Sequence, residues 1–387
     1  MALFVKIDNA LQDILDSEIV RQSSTIELIA SENFTSDAVM HLCGSILTNK
    51  YAEGLPGKRY YNGCDRVDQA ENLAIEYVTK LFGCSYANVQ PHSGANANLA
   101  VMKAFLKPGD KILGMDLASG GHLSHGAPVN ISGAWFETQS YGVDSNGLLD
   151  YDEIEQLALE FEPTMIIAGA SAYSRVIDWE KFGEIAEKVG AILLADISHY
   201  SGLIAAGEYP NPFPHANVVT STTHKTLRGP RGGMILWNDS SLSKKINSAV
   251  FPGTQGGPLM HIIAAKAQCF YEALQPQFTE YAKQVKANAN AMANKFIKLG
   301  VNVVSDGTDS HMFTLDLSEE QYSGKQFADL LEDRGITVNK NGIPNDKRSF
   351  VETSGIRIGT AAETTKGRNE EWFEHLAAYI FTLLRVE

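Results

Sequence analysis

The sequence has little cysteine and none of the usual cysteine motifs. Its four cysteines are Cys43, Cys64, Cys84 and Cys269, and no two form a CxxC pair. This spacing argues against a disulfide scaffold and against a zinc site, and it is typical of reduced thiols. The N-terminal segment 1–8 also lacks the basic start and apolar core of a signal peptide. We therefore expect a cytoplasmic protein that holds no metal.

Positive charge and long apolar runs are also scarce. The net charge of −14 argues against nucleic acid or an anionic membrane as the main partner. No apolar run reaches the length of a membrane span, and there is no internal repeat or low-complexity linker. What remains is an ordinary globular composition, 44% hydrophobic and 20% charged, in 387 residues. That length is enough for two or three domains.

Helical and strand patterns alternate through most of the chain. An amphipathic helix opens it, and its apolar face needs a partner surface in its own domain or in a second subunit. Further on, short continuous apolar runs, which are typical of a parallel sheet covered on both faces, predict the strands Tyr86–Gln90, Lys111–Met115, Met165–Ala168 and Ala191–Ala195. The helical patterns between them predict Asn98–Leu106, Tyr151–Phe161 and Trp179–Val189.

A second set of strands and helices follows after residue 300 and predicts a separate α+β domain. Its strands are expected at Val301–Val304, Met312–Leu317, Ile336–Asn339 and Ile356–Ile358. We therefore expect an N-terminal helical arm over 1–45, a large α/β domain with a mostly parallel sheet over 46–275, and a small α+β domain over 276–387.

The segment 220–233, TSTTHKTLRGPRGG, holds one lysine among small residues. Apolar stretches on both sides predict strands, so Lys225 lies in a turn at a strand end where the backbone can approach a ligand closely. A partly desolvated amine near cations such as Arg228 and Arg231 loses its proton more easily, and it suits a Schiff base with an aldehyde cofactor. The alternative is a solvated surface lysine.

Three further positions have the chemistry of a cofactor site. Asp196 follows a buried strand, where ligands of open α/β sheets bind, and it could pair with a pyridinium nitrogen or cap a helix. The Ser93-Gly94 turn between a strand and a helix offers free N–H groups to a phosphate, although it is neither GxGxxG nor a P-loop. His122 stands between glycines and could stack on a flat ring or be idle.

Arg357 lies in an alternating strand pattern near the C-terminus. Its planar guanidinium suits the α-carboxylate of an amino acid, and a structural salt bridge is the alternative. The loop 51–63 collects aromatic and charged side chains, as binding loops often do. Taken together, the lysine, aspartate, histidine, phosphate turn and arginine fit pyridoxal phosphate with an amino-acid substrate.

Long sequence blocks extend this interpretation over nearly the whole chain. They are IELIASENF (26–34), LTNKYAEGLPGKRYYNGC (47–64), YANVQPHSG (86–94), GGHLSHG (120–126), SAYS (171–174), DISH (196–199), TSTTHKTLRGPRGG (220–233), FPGTQGGPLMH (251–261) and SGIRIGT (354–360). By these blocks the chain resembles the serine hydroxymethyltransferases, which are fold-type I pyridoxal-phosphate enzymes. The resemblance implies reversible transfer of the serine hydroxymethyl carbon to tetrahydrofolate, giving glycine and 5,10-methylenetetrahydrofolate.

The resemblance also implies cofactor residues. Lys225 would be the Schiff-base lysine, and Asp196 would pair with the pyridine nitrogen. The other residues that would stack on the ring, line its O3′ side or lie at the phosphate are His122, His199, Ser171, Ser93, Gly94, Ala95, His224 and Arg231. Tyr51, Gly256 and Gly257 would reach the phosphate from a neighbouring subunit, which implies shared active sites in a homodimer or tetramer.

The substrate side is implied in the same way. Ser31 and Arg357 would bind the amino-acid carboxylate. Glu53 and Tyr61 of a partner subunit would handle protons at the substrate hydroxyl and the folate. The positions that match pteridine contacts are Leu117, Gly121 and Leu123.

Several positions depart from the family pattern and keep alternatives open. Ala95-Asn96 stands where Ser-Gln is usual, Ala170 replaces an aromatic residue, and the segment 349–352 replaces Ser-Pro-Phe. The last departure falls on the expected folate side and leaves room for a folate-independent aldolase or transaldolase acting on β-hydroxy amino acids such as threonine. A non-catalytic, RNA-associated relative is a third hypothesis, and intact Lys225 and Asp196 argue against it.

Overall fold

The computed structural model describes residues 6–385, so the first five residues of the N-terminal segment considered above lie outside it. The helices are α1 Asn9–Ser24, α2 Asp37–Cys43, α3 Asp65–Phe82, α4 Gly94–Phe105, α5 Ile131–Trp135, α6 Tyr151–Phe161, α7 Trp179–Val189, α8 Ser201–Ala205, α9 Ser243–Val250, α10 Met260–Ala273, α11 Pro276–Lys298, α12 Gly324–Glu332, α13 Ala361–Thr365 and α14 Glu370–Leu384. Among residues 6–385, no helix is long and apolar enough to cross a membrane.

The strands are short and belong to several sheets. In chain order they are β1 Ile26–Glu27, β2 Gly54–Leu55, β3 Lys58–Arg59, β4 Tyr86–Asn88, β5 Lys111–Met115, β6 Glu137–Tyr141, β7 Met165–Ala168, β8 Ile192–Asp196, β9 Val218–Thr222, β10 Gly233–Trp237, β11 Asn302–Val303, β12 Met312–Asp316, β13 Ile336–Thr337, β14 Asn339–Asn341 and β15 Gly355–Gly359. Short 3₁₀ turns cover Ile46–Asn49, Leu123–His125, Ser240–Leu242 and Val304–Asp306.

A seven-stranded sheet with the order β4-β10-β9-β8-β7-β5-β6 forms the larger part of the molecule. Strands β5 to β9 pair with one another in parallel, whereas β10 runs antiparallel to both β4 and β9. The predicted α/β architecture with a mostly parallel sheet is confirmed. β10 has the same continuous apolar pattern as the parallel strands. A continuous apolar run indicates that a strand is buried on both faces, and it does not indicate the direction of the strand.

One edge of this sheet brings the candidate residues together. Asp196 is the last residue of β8, and β9 ends at Thr222, three residues before Lys225. β8 and β9 are parallel neighbours, with Asp196 opposite Thr220. Their carboxyl ends therefore meet at the same edge, which is where open α/β sheets bind ligands.

A second sheet, ordered β11-β12-β15-β14, lies in the C-terminal part of the chain. Its hydrophobic core includes Phe313, Ile356 and Phe373, and also Leu28 from the N-terminal segment. β1 pairs in parallel with β13, and the backbone of Leu28 accepts a hydrogen bond from Gly359. Residues 26–30 therefore pack with the C-terminal sheet. The division into the three domains 1–45, 46–275 and 276–387 stays a prediction.

Two expectations about single elements need correction. The strand predicted over 336–339 is divided, because β13 pairs with β1 whereas β14 pairs with β15. β6 had no predicted counterpart. It is an edge strand whose sequence Glu-Thr-Gln-Ser-Tyr buries only its last residue. An exposed edge strand needs no continuous apolar run, so the criterion that identified the central strands could not identify it.

The predicted opening helix is present as α1, but none of its residues is buried. Asp8 caps it, and its carboxylate accepts hydrogen bonds from the N–H groups of Ala10 and Leu11. The side chains of Leu11, Ile14 and Ile19 are 60%, 65% and 59% exposed. The surface that was expected to cover this face is therefore not supplied by residues 6–385 of the same chain.

Candidate active site

A polar cavity of about 390 Å³ opens at the carboxyl ends of β8 and β9. It is lined by Ser31, Glu32, Ser93, Gly94, Ala95, His122, His125, Ala170, Ser171, Asp196, Ser198, His199, Thr222, His224, Lys225, Arg231 and Arg357. The cavity thus brings together the cofactor-side residues predicted for one chain with both residues predicted for the substrate carboxylate.

Lys225 is buried in the wall of this cavity and is 9% exposed. Its backbone carbonyl accepts a hydrogen bond from Asn33 at 3.0 Å. Its ammonium has no hydrogen-bond or ion-pair partner within residues 6–385. Burial and the positive charges of Arg357 and Arg231 lower the pKa of Lys225 to about 8, although Asp196 opposes the shift. A larger fraction of this amine than of an ordinary lysine is therefore unprotonated and nucleophilic near neutral pH, although the protonated form still predominates at pH 7.

The two arginines that follow Lys225 separate. Arg231 lines the cavity, whereas Arg228 lies outside it, with its guanidinium 4.8 Å from the centre of the Tyr281 ring. Arg228 has a φ of 62°, a left-handed conformation that turns the chain sharply after the lysine. Arg228 therefore does not belong to the basic wall near Lys225, which is formed by Arg231 and Arg357.

Asp196 is held by hydrogen bonds on both carboxylate oxygens. Oδ2 accepts from Asn98 at 2.8 Å and contacts Nε2 of His125 at 3.0 Å, while Oδ1 accepts from the hydroxyl and N–H of Ser198. Burial alone would raise the pKa of Asp196, but His125, His122 and Asn98 hold it well below its usual range. The carboxylate is therefore ionised at neutral pH and can pair with a cation.

The turn 92–95 lies at the N-terminus of α4. The Ser93 hydroxyl accepts from the N–H of Asn96 and donates to the Asn96 side chain at 2.8 Å. The first N–H groups of a helix have no partner within it, so Gly94 and Ala95 can donate to an anion. A Cβ at Gly94 would lie 2.7 Å from Cγ2 of Thr222, so this position has room only for glycine.

Three of the cavity histidines, His122, His199 and His224, are neutral at physiological pH. Burial lowers the pKa of His122 to about 4 and that of His224 to about 3, with Arg231 adding to the second shift. His224 Nδ1 is buried with no hydrogen-bond partner in the described part of the chain. Burial also lowers the pKa of His199, whose ring stacks on His311 with 5.5 Å between centroids.

Arg357 has the surroundings of a receptor for a carboxylate. Its Nη1 donates to the carbonyl of Ser171 and its Nη2 to the side chain of Asn339, both at 2.7 Å. Its Nε is buried without a partner, and no acidic side chain in residues 6–385 pairs with the guanidinium. Burial lowers the pKa of Arg357 to about 10, so the group remains charged near pH 7. Residues 6–385 therefore supply no partner for the structural salt bridge that was the predicted alternative.

The five residues expected to serve a neighbouring subunit cluster outside the cavity of their own chain. They are Tyr51, Glu53, Tyr61, Gly256 and Gly257. The hydroxyl of Tyr51 lies 3.4 Å from Oε1 of Glu53, and the rings of Tyr51 and Tyr61 are 5.1 Å apart at their centroids. A Cβ at Gly257 would lie 2.9 Å from the Tyr51 ring. We call these five residues the loop cluster.

The predicted pteridine contacts also lie outside the main cavity. Leu123 is 45% exposed, and Asp116 and Ala118, which flank Leu117, line a second recess of about 410 Å³ together with Phe350. Gly121 packs against backbone, since a Cβ there would lie 2.0 Å from the carbonyl of Met115. The variant loop 349–352 thus borders the same recess as segment 116–119.

The family model for serine hydroxymethyltransferase matches residues 4–380. The chain belongs to the serine hydroxymethyltransferase family. It is 58% identical to a serine hydroxymethyltransferase of Chromohalobacter salexigens over 97% of this chain and 90% of that protein. It is 55% identical to one of Wolinella succinogenes over 97% of this chain and 91% of that protein. A probable serine hydroxymethyltransferase of Rickettsia bellii is 57% identical over 98% and 91%.

Membership of the serine hydroxymethyltransferase family confirms the resemblance, the fold class and the transferase class that the sequence predicted. Sequence reasoning nevertheless missed residues that the structure places at the site. Asn98, His125 and Ser198 all bond Asp196, and His311 stacks on His199. His125 and Ser198 had a signal, because they stand inside the quoted blocks GGHLSHG (120–126) and DISH (196–199), whereas Asn98 and His311 lie outside every quoted block.

Proposed function

We propose that this protein transfers the hydroxymethyl carbon of serine to tetrahydrofolate, reversibly, with pyridoxal phosphate as cofactor. The observation that carries the proposal is a pair of buried cations, Lys225 and Arg357, that line one cavity with the ionised Asp196 and form no ion pair with a carboxylate of residues 6–385. Buried charges need partners. A cofactor with an aldehyde, a phosphate and a basic ring nitrogen, together with an amino-acid carboxylate, would provide them.

The residues present fit pyridoxal phosphate. The unpaired N–H groups at the start of α4, the orphaned Nδ1 of His224 and the charge of Arg231 would hold its phosphate. Lys225 would hold its aldehyde, Asp196 its ring nitrogen and His122 a face of its ring, while Ser171 and His199 would lie beside its phenolic oxygen. When bound, the cofactor supplies an electrophilic carbonyl for amines and an electron sink for charge that develops at Cα.

The protein's own groups bind the substrate and move protons. Arg357 orients the amino acid through a bidentate pair with its α-carboxylate, and Ser31, which lines the same cavity, adds a hydrogen bond. The carboxylate of Glu53 and the hydroxyl of Tyr61 exchange protons with the substrate hydroxyl. The recess between 116–119 and 349–352, near Leu117, Gly121 and Leu123, receives the folate.

The active site is shared between two copies of the chain in this proposal. The loop cluster gathers five predicted site residues, and none of them lines the cavity of its own chain. A second copy would bring Glu53 and Tyr61 to the substrate, and Tyr51, Gly256 and Gly257 to the phosphate. The exposed apolar face of α1 is available to the same interface.

Mixing two inactive variants tests this shared site. Lys225→Ala removes the cofactor amine, and Glu53→Ala removes a group from the loop cluster. Co-expressed chains form mixed dimers in which one site keeps both groups, so activity should return to a fraction of the wild-type value. Mixed dimers as inactive as either parent would contradict the shared site.

The reaction itself is tested by incubating the cofactor-loaded protein with serine, with and without tetrahydrofolate. We expect glycine and 5,10-methylenetetrahydrofolate to form in equal amounts and only when folate is present. Threonine is the matched control substrate, because its cleavage requires no folate. Membership of the serine hydroxymethyltransferase family does not favour the alternative activity, that of a folate-independent aldolase. Cleavage of threonine without any transfer of the serine carbon to folate would restore that alternative.

A further inference from the structure

Lys266 is a second buried lysine, and no predicted role accounts for it. It lies on α10 and is 1% exposed. Its ammonium donates three hydrogen bonds, to the carbonyls of Val89 at 2.7 Å, Pro91 at 2.9 Å and Gly233 at 2.8 Å. These bonds use all three protons that a protonated lysine can donate.

The three acceptors belong to two segments that enter the active site. Val89 and Pro91 lead from β4 into the turn 92–95 that begins α4. Gly233 ends the segment 220–233, which contains Lys225, and begins β10. The N–H of Gly233 also donates to the carbonyl of Pro91 at 3.0 Å. Lys266 therefore joins the phosphate turn to the loop of the reactive lysine at the point where their backbones meet.

The packing at this junction leaves little freedom. A Cβ at Gly232 would lie 2.3 Å from Cε of Lys266, and a Cβ at Gly233 would lie 2.2 Å from the carbonyl oxygen of Ser93. On the other side of the turn, Gln255 accepts from the N–H of His92 and donates to the carbonyl of Gln90, both at 3.0 Å. A shift of the Lys266 ammonium would therefore move backbone on both segments.

A buried ammonium is an unfavourable choice for a purely structural position. Its neighbours in α10, Ala265 and Ala267, are buried and apolar, and an apolar residue at 266 would avoid the desolvation of a charge. What an apolar side chain cannot do is bond three carbonyls at once. A lysine at position 266 therefore fixes the placement of the two segments relative to each other, although its charge is unfavourable to bury.

We propose that Lys266 is a positioning residue that sets the distance and orientation of the phosphate turn 92–95 relative to Lys225. This inference rests on the proposed function, since it assumes that the turn holds the cofactor phosphate while Lys225 holds the aldehyde. A cofactor bound at both ends requires both segments in register. The same ligand without its phosphate does not.

The test compares two ligands that differ only in the phosphate, pyridoxal phosphate and pyridoxal, by equilibrium binding to wild type and Lys266→Met. Displacement of the turn should raise the Kd for pyridoxal phosphate by about tenfold or more, because small misplacements of a binding group weaken its interactions steeply. The Kd for pyridoxal should change by less than about threefold, because a change at a site that pyridoxal does not contact should be nearly additive with its binding. Lys266→Gln keeps an amide donor, so its Kd for pyridoxal phosphate should lie between the values for wild type and for Lys266→Met.

Lys111→Met is the matched control, because Lys111 also donates to a carbonyl, that of Phe161 at 3.0 Å, but lies outside the cavity. It should leave both dissociation constants unchanged. If Lys266→Met or Lys266→Gln weakens both ligands equally, through unfolding or otherwise, Lys266 serves the fold alone and the proposal is overturned. If wild type itself binds pyridoxal phosphate no more tightly than pyridoxal, the proposed function fails first.

Discussion

Two buried lysines near the large sheet, Lys225 in the loop after β9 and Lys266 on α10, lie in opposite kinds of surroundings. Both are at least nine-tenths buried, and neither forms an ion pair with a carboxylate of the described residues. All three donors of Lys266 end on backbone carbonyls, whereas the ammonium of Lys225 has no partner in residues 6–385 and faces a cavity of about 390 Å³. Burial lowers the pKa of Lys225 to about 8 and that of Lys266 to about 7.

The difference shows that a lowered pKa does not by itself identify a reactive amine. The pKa of Lys266 is lowered as clearly as that of Lys225, yet its nitrogen is enclosed by its three acceptors. Lys225 instead lines an open cavity together with Asp196 and with Arg357, which has no acidic partner in residues 6–385. Unsatisfied bonding capacity next to free volume therefore favours Lys225 as the reactive amine.

Removing Lys225 should have the largest effect on catalysis. We expect Lys225→Ala to lower kcat for conversion of serine to glycine by at least about 10³-fold, as for the loss of a nucleophile that acts together with its neighbours. Lys298→Ala, which removes an exposed lysine from α11, is the control and should keep wild-type kcat. Wild-type turnover by the Lys225 variant would move the reactive amine elsewhere.

Arg357 is the next position where the comparison can be tested. Arg357→Ala should weaken amino-acid binding by about 2–5 kcal/mol, because the substrate carboxylate loses its buried charge partner. The pKa of Lys225 should also rise in this variant, because Arg357 is one of the groups that lower it. A serine titration and the pH dependence of cofactor attachment measure the two effects. Arg357→Lys keeps the charge but not the planar fork, so its affinity for the amino acid should lie between those of wild type and Arg357→Ala. An unchanged serine KM in Arg357→Ala would refute the role of Arg357 in carboxylate binding.

The pH dependence of folding separates the two lysines by their pKa values. Both pKa values are lower than the 10.5 of an unfolded lysine, so the unfolded chain binds more protons and stability of the cofactor-free protein rises with pH. Each lysine contributes at most about 1.4 kcal/mol per pH unit. The contribution of Lys266 begins near pH 7 and that of Lys225 near pH 8, and both end near pH 10.5.

Urea unfolding of Lys225→Met and Lys266→Met between pH 6.5 and pH 10.5 measures these contributions. Lys266→Met should flatten the pH dependence from about pH 7 upwards, and Lys225→Met only from about pH 8. If the free energy of unfolding depended on pH in the same way in both variants, the difference in pKa between Lys225 and Lys266 would be contradicted.

The smallest effect is expected at Asn33, which holds the backbone and not the amine of Lys225. Its amide donates to the Lys225 carbonyl at 3.0 Å and to the Tyr281 hydroxyl at 2.7 Å. Asn33→Ala should lower kcat by up to about tenfold, since one hydrogen bond contributes about 0.5–1.5 kcal/mol. The serine KM should change little. A larger effect on KM than on kcat would show that Asn33 acts on substrate binding.

Sequence patterns predicted best those candidate site residues that stand at or just after the end of a predicted strand. Lys225 and Asp196 follow continuous apolar runs, and parallel strands bring such ends together. His122, the Ser93-Gly94 turn and Arg357 were candidates from the chemistry of their residue types, and the family blocks then implied roles for them. The mostly parallel sheet was likewise predictable, because burial on both faces leaves continuous apolar runs in the sequence.

The rest depends on contacts that leave no local pattern. Lys266 is one lysine in a helix, and its acceptors are backbone carbonyls more than thirty residues away in the chain. Asn98 reaches Asp196 from a separate element with no motif of its own. β6 was missed because an exposed edge strand needs no apolar run. Tertiary packing decides these positions, and the sequence reports it only indirectly.

The most direct test of the account is to reduce the protein with borohydride in the presence of pyridoxal phosphate and to map the modified peptide by mass spectrometry. Reduction makes the link between the cofactor and its lysine permanent. The account predicts one phosphopyridoxyl group per chain on Lys225 and none on Lys266. Modification of Lys266, or of exposed lysines with Lys225 untouched, would contradict it.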